Sequence, residues 1–344
     1  MKKTPEARMV LLRRSLLGAP LKITPFRPIN PSYPAARMIA ELDYALELAR
    51  NTDESLLPEV ENAIAHAEKT FAAEKTIAMS HVSEIEDMLP GCRAIAKDYT
   101  LLCVGHAHID MNWMWRYDET VSITLDTFRT VLTLMEQYPG FRFSQSQASV
   151  YRIVEEFAPE MLPAIKARVA EGRWEVSAST WVEGDKNMPS GESFARHLLY
   201  TRRYLSDLLS IPGESLCLDF EPDTFGHSRN VPEILADAGI KYYYHCRGND
   251  TEVLYRWRAE SGREVLVYRD PTWYQCTVGY DLARRVPYTA KTYGMNDVLM
   301  IYGVGDHGGG PTRRDIERIL DMDGWPVAPR YRFSSYKEFF AACE

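Results

Sequence analysis

The chain has no CxxC pair, no apolar run long enough to cross a bilayer, no basic tract interleaved with aromatics and no GxGxxG after its first predicted strand. Each absence removes a class of function. Its six cysteines (Cys92, Cys103, Cys217, Cys246, Cys276 and Cys343) are scattered, which argues against a disulfide scaffold and for a reducing compartment. No apolar stretch approaches the ~18 residues of a membrane span. Met9–Val10–Leu11–Leu12 is broken by Arg13–Arg14, so it is too short for a signal peptide. The expectation is a cytoplasmic protein without a membrane partner. No Lys/Arg tract interleaves with aromatics, and the formal net charge is −8. Both disfavour a nucleic-acid partner. Without a glycine fingerprint after the first strand, a dinucleotide site there is disfavoured too.

What is present is a core. The 344 residues are 45% hydrophobic and 11% aromatic, enough for one large domain or two ordinary ones, and too apolar for disorder. Residues 1–34 carry Pro5, Pro20, Pro25, Pro28, Pro31 and Pro34, a spacing that predicts an extended arm. From Ala35 to about Lys97 the apolar spacing is helical and predicts two to four helices. Residues 1–98 are therefore read as an arm and helical segment without site-like residues. Residues 99–344 are read as a second domain, a β/α unit that carries the site-like residues.

From Tyr99 strands and helices alternate. Strands are predicted at Thr100–Val104, Phe141–Ser146, Trp174–Ser179, Leu216–Phe220, Lys241–His245, Glu264–Tyr268 and Val298–Tyr302, with a further one at Tyr331–Ser334. Such a series of βα units implies a parallel sheet. The absence of a reversal signal favours a closed parallel β/α barrel of seven or eight such units over an open doubly wound sheet.

In such barrels the site lies at the carboxyl ends of the strands. The ends offer His106, His108, Asp110 and Trp113, then Gln145 and Gln147, then Trp181, Glu183 and Asp185. Glu221, Asp223 and His227 follow, then His245, Arg269 and Asp270, and last Asp306 and His307. His108 and Asp110, two residues apart in an extended segment, can reach one divalent ion, and imidazole with carboxylate suits Zn²⁺. His106 is either a third ligand or a supporting residue at the strand end.

The segments HAHID (106–110) with Trp113, WVEGDKNMPSGES (181–193), DTFGHS (223–228) and YGVGDHGGGPT (302–312) occur in that order. Together they resemble the catalytic domain of glycoside hydrolase family 38, the retaining α-mannosidases, in its cytosolic and bacterial branch. The resemblance covers roughly Tyr99 to Phe340. It implies a seven-stranded β/α barrel and a metal-dependent retaining hydrolase of terminal α-mannosides in oligosaccharides or glycans. It further implies that His108, Asp110 and Asp185 bind one divalent ion, Zn²⁺ foremost, with Co²⁺ or Ca²⁺ as alternatives. Asp185 would also be the nucleophile and Asp306 the acid/base, their carboxyls ~5–5.5 Å apart. Trp113 would stack on the sugar and Asp223 would contact it. The ordinary readings compete: Trp113 as core packing, and Asp306 as a turn residue among glycines.

The family's usual fourth ligand, a histidine in a motif resembling FHD-x-x-PGS, is not in this chain. His307, water or another chain would have to replace it. The expectation is an N-terminal catalytic portion, truncated before the helical and β domains, that binds metal weakly and turns over poorly. The partners expected are a mannose-containing oligosaccharide and either a second copy or the missing C-terminal portion. Two other readings stand beside this one. An amidohydrolase-like site would use His106, His108, His227, His245 and Asp306 and leave Asp185 idle. A non-catalytic carbohydrate-binding fragment would keep the sugar site without turnover.

Overall fold

The computed structural model describes residues 4–17, 32–248, 251–305 and 307–344. They form two compact units. One comprises Met1–Leu101, Val278–Val298 and Glu317–Arg332; the other comprises Leu102–Thr277, Leu299–Ile316 and Phe333–Glu344. No helix of the described residues is long and apolar enough to cross a membrane.

The first unit is helical. Residues Pro5–Leu17 form a helix, which corrects the extended arm predicted there. Pro5 sits at the helix start, where its missing N–H has no intrahelical partner to lose. Met9 and Leu12 are buried, and Arg8 pairs with Glu68 at 2.6 Å. Residues 18–31 of the predicted arm lie outside the described residues. Helices Tyr33–Asn51, Leu57–Glu74, Met79–Asp87 and Pro90–Ala96 follow, as the apolar spacing predicts.

The strands are β1 (Thr100–His106), β2 (Phe143–Gln145), β3 (Trp174–Val176), β4 (Leu218–Glu221), β5 (Tyr242–His245), β6 (Leu254–Arg258), β7 (Glu264–Arg269), β8 (Asp297–Tyr302) and β9 (Arg330–Phe333). They build a mixed α/β fold with two sheets. One has the order β3-β2-β1-β8, with β9 also paired to β1; the other has the order β4-β5-β7-β6. The pairs β1–β2, β2–β3, β4–β5 and β5–β7 are parallel, while β6–β7 is antiparallel.

Among the described residues the sheets therefore stay open, where one closed seven-stranded barrel was expected. The physical reason is local. β3 leaves the ladder after Val176, and side chains rather than a strand pair connect it to β4. Ser179 Oγ donates to Asp219 at 2.5 Å and Thr180 Oγ1 to Glu221 at 3.1 Å. Lys186 Nζ lies 3.0 Å from Asp219 and 2.8 Å from Glu221.

Alternation along β5 assigns its two faces. Tyr243 packs outward with Val265 and Val267 against Phe194 and Leu198 of helix Gly191–Leu209 and Leu235 of helix Val231–Asp237. Tyr244 points the other way and stacks on Phe220 at 4.6 Å. Truncating a buried leucine such as Leu235 in this layer would cost about 2–5 kcal/mol. With both faces covered, the strands' carboxyl ends are left to present polar residues.

Candidate active site

The loops that follow the strands line one cleft of about 540 Å³. β1 delivers His108, Asp110 and Trp113; β2 delivers Gln147; β3 delivers Glu183 and Asp185; β4 delivers Asp223 and Phe225; β5 delivers Arg247; and β7 delivers Trp273 and Tyr274.

His108 is buried at the floor. Its Nδ1 is 3.5 Å from Asp110 Oδ1, and its Nε2 donates to Glu183 Oε2 at 2.5 Å. Two donors that share an ion at ~2.1 Å in tetrahedral geometry lie ~3.4 Å apart, so the His108–Asp110 spacing suits a common cation better than a direct hydrogen bond. A carboxylate on the far ring nitrogen is the usual support of a ligating histidine. The pair thus fits half of a divalent-ion site in both distance and donor chemistry. No three His, Cys, Asp or Glu side chains converge on a ready cage among the described residues.

Asp185 reaches the same cleft but not that pair. Its Oδ1 accepts the N–H groups of Asn187 at 2.6 Å and Met188 at 3.1 Å. These backbone donors, Asn187 first, hold its carboxyl below the usual aspartate range, since they stabilise the anion. Asp306, the expected acid/base, lies outside the described residues. Its neighbour His307 is bridged to Ile109, which ties the glycine-rich loop to the loop after β1. That loop needs glycine at 303, where φ is +130° and a Cβ would meet His106 O at 2.1 Å.

Trp113 is 59% exposed, so it is not core packing. Its ring lies 5.8 Å from Trp115. Asp223 is ion-paired with Arg247, whose Nε donates to Oδ1 at 2.7 Å. The guanidinium lies 4.4 Å from the Phe225 ring and 4.9 Å from that of Trp273, so it is held on several sides.

The remaining strand-end histidines have other work. His106 donates Nδ1–H to Ser144 O at 2.9 Å, and its ring lies 4.6 Å from Phe220. Burial, reinforced by His108, lowers its pKa to about 3, so it is a neutral interior residue. His227 Nε2 and His245 Nδ1 both donate to the carbonyl of Arg247, at 3.0 and 2.7 Å. Their other nitrogens accept from Tyr243 at 2.7 Å and Tyr255 at 3.0 Å. This pair clamps backbone, so the amidohydrolase-like ligand set does not assemble. Asp270 accepts from Tyr244 at 2.9 Å and the Thr272 N–H at 2.8 Å, closing a turn below the cleft.

Gln147 joins three of the loops. Its Nε2 donates to Ile109 O at 2.8 Å, and its Oε1 accepts from Glu183 N at 3.1 Å. It does so at φ +65°, a conformation uncommon for a residue with a Cβ. Such strain persists where the surroundings over-determine it.

A sugar-sized cleft with several carboxylates and exposed aromatic rings is the kind of site glycoside hydrolases build. Residues 98–344 match the glycosyl hydrolases family 38 N-terminal domain, and the chain belongs to that family. It is 32% identical to alpha-mannosidase G of Dictyostelium discoideum over 249 residues, 70% of this chain and 23% of that protein. It is 30% identical to human alpha-mannosidase 2C1 over 260 residues, 72% of this chain and 24% of that protein. The chain spans about a quarter of the length of these curated relatives. Among solved structures, an alpha-mannosidase from Enterococcus faecalis V583 shares the fold, with a TM-score of 0.62 and 22% identity over 71% of this chain and 29% of that one.

Proposed function

We propose that this cleft belongs to a metal-dependent retaining α-mannosidase acting on terminal α-mannosides of oligosaccharides or glycans. The observation that carries the reading is the meeting of His108, Asp110 and Asp185 in one cleft of a family 38 chain.

His108 and Asp110 would hold the divalent ion, Zn²⁺ by donor chemistry, with Asp185 turning from its own loop to join them. The ion, when bound, would grip the sugar's 2- and 3-hydroxyls and orient the ring. Asp185, kept ionised by its two backbone N–H donors, attacks the anomeric carbon as the glycosidic bond breaks. Asp306 gives the leaving oxygen its proton. The resulting glycosyl ester is opened by water, from which Asp306 takes a proton, so configuration is retained. Trp113 offers its exposed ring to the apolar face of the sugar, and Asp223, fixed by Arg247, accepts from its hydroxyls. Six cysteines in the thiol form support a cytoplasmic location.

The test is hydrolysis of an aryl α-mannoside followed by proton NMR, before and after chelation and after adding back Zn²⁺. The expected result is release of α-mannose as first product, abolished by the chelator and restored by the metal. Binding of mannosides with no turnover under any metal would replace this reading with the carbohydrate-binding one. First release of β-mannose would overturn retention.

A further inference from the structure

We propose that Glu183 is the positioning residue of the site, fixing the ring of His108 so that its Nδ1 faces Asp110. No motif assigns it this role. The inference rests on the metal reading only for what that nitrogen would hold.

Glu183 is where the loops after β1, β3 and β4 meet. Its Oε2 accepts Nε2–H of His108 at 2.5 Å. Its Oε1 accepts the Asp223 N–H at 2.6 Å and the Thr224 hydroxyl at 3.2 Å. Its own N–H is fixed by Gln147. The two side chains are 2% and 12% exposed for His108 and Glu183, so water competes little for these bonds. Tyr274 packs edge-on to the imidazole at 4.8 Å and limits its rotation.

The arrangement demands a carboxylate. Both oxygens act as acceptors, on opposite sides: one takes a backbone N–H, which cannot reverse, and the other takes the imidazole Nε2–H. A glutamine keeps its one oxygen for the Asp223 N–H and turns its NH₂ to His108, so it removes the acceptor of Nε2–H and drives the ring proton to Nδ1. A carboxylate on the far nitrogen also fixes the tautomer and raises the basicity of the nitrogen that faces an ion. Asp223, whose N–H the same carboxylate holds, is thereby fixed relative to His108. One side chain sets both the ligand histidine and the loop that carries the sugar-contacting aspartate.

The experiment uses the whole chain with histidine-selective ¹⁵N labelling, His108 being assigned by its absence in His108→Asn. In the metal-free wild type, His108 should show a far-downfield, slowly exchanging Nε2–H proton. Glu183→Gln should lose that downfield proton. The absence of that Nε2–H proton in the wild type, or an unchanged signal in Glu183→Gln, would overturn the proposal without any metal. In the second arm, Zn²⁺ affinity is measured by chelator competition. A loss of about 10–100-fold in Glu183→Gln is expected. A lower melting temperature with unchanged affinity would mean that Glu183 only supports the fold, and would also overturn it. A wild type that binds no divalent ion would instead defeat the metal reading, leaving the first arm to decide the role of Glu183.

Discussion

The Asp185 carboxylate accepts the N–H of Asn187 at 2.6 Å, closing a turn on its own loop. The same oxygen that shapes the loop belongs to the proposed nucleophile. Asp185→Asn therefore separates the two roles, because the amide oxygen can still accept from Asn187 and Met188. The expected outcome is a folded protein with near wild-type unfolding in urea and at least a ~10³-fold loss of mannoside hydrolysis. Retained hydrolysis would remove Asp185 from the chemistry.

The next residue holds the loop from beneath. The Lys186 side chain is fully buried with those of Asp219 and Glu221, and its ammonium lies 4.1 Å from the Phe194 ring centroid. Burial pushes the ammonium pKa down, but Asp219 and Glu221 together outweigh it and leave it raised. Burial also raises Glu221 well above the usual carboxylate range. Lys186→Met leaves buried carboxylates without a counter-ion, and urea unfolding at pH 7 should show a loss of about 3–5 kcal/mol. The loss should shrink at pH 5, where Glu221 protonates more readily. An unchanged midpoint would show that the network is dispensable.

His245 makes stability depend on pH. Burial, helped by the neighbouring His227, lowers its pKa from 6.5 to about 4. Between those values the unfolded chain binds the proton and the folded one does not. The stabilisation is thus complete above pH 6.5 and is lost as pH falls towards about 4, up to about 3 kcal/mol for this group. Urea titrations across that window should show a shallower pH slope in His245→Asn than in the wild type. Equal slopes would assign the acid sensitivity to other groups.

Much of the second unit was legible because its strands are apolar runs that end in polar residues. Thr100–Val104 was found this way, and the ladder carries it two residues further to His106. β6 was missed although Tyr255 and Trp257 alternate inward, because Arg256 and Arg258 between them disguise a strand paired on only one side. The helix Pro5–Leu17 is not legible from proline spacing, because Pro5 stands at a helix start, where proline is tolerated.

The site was legible in residue type but not in partnership. Glu183 was visible as a strand-end carboxylate, yet nothing in its surroundings along the chain points to a histidine 75 residues earlier. His227 and His245 resembled ligands by type and position. Only the folded chain shows both donating to one backbone carbonyl.

The most direct test of the account is a Zn²⁺ titration of the wild-type chain and of Asp110→Asn, with stoichiometry read by calorimetry and metal analysis. Saturable binding of one ion per chain, abolished or weakened by at least ~100-fold in Asp110→Asn, is the outcome expected if His108 and Asp110 form the metal half-site. Binding that survives Asp110→Asn unchanged, or no saturable binding in the wild type, would contradict it.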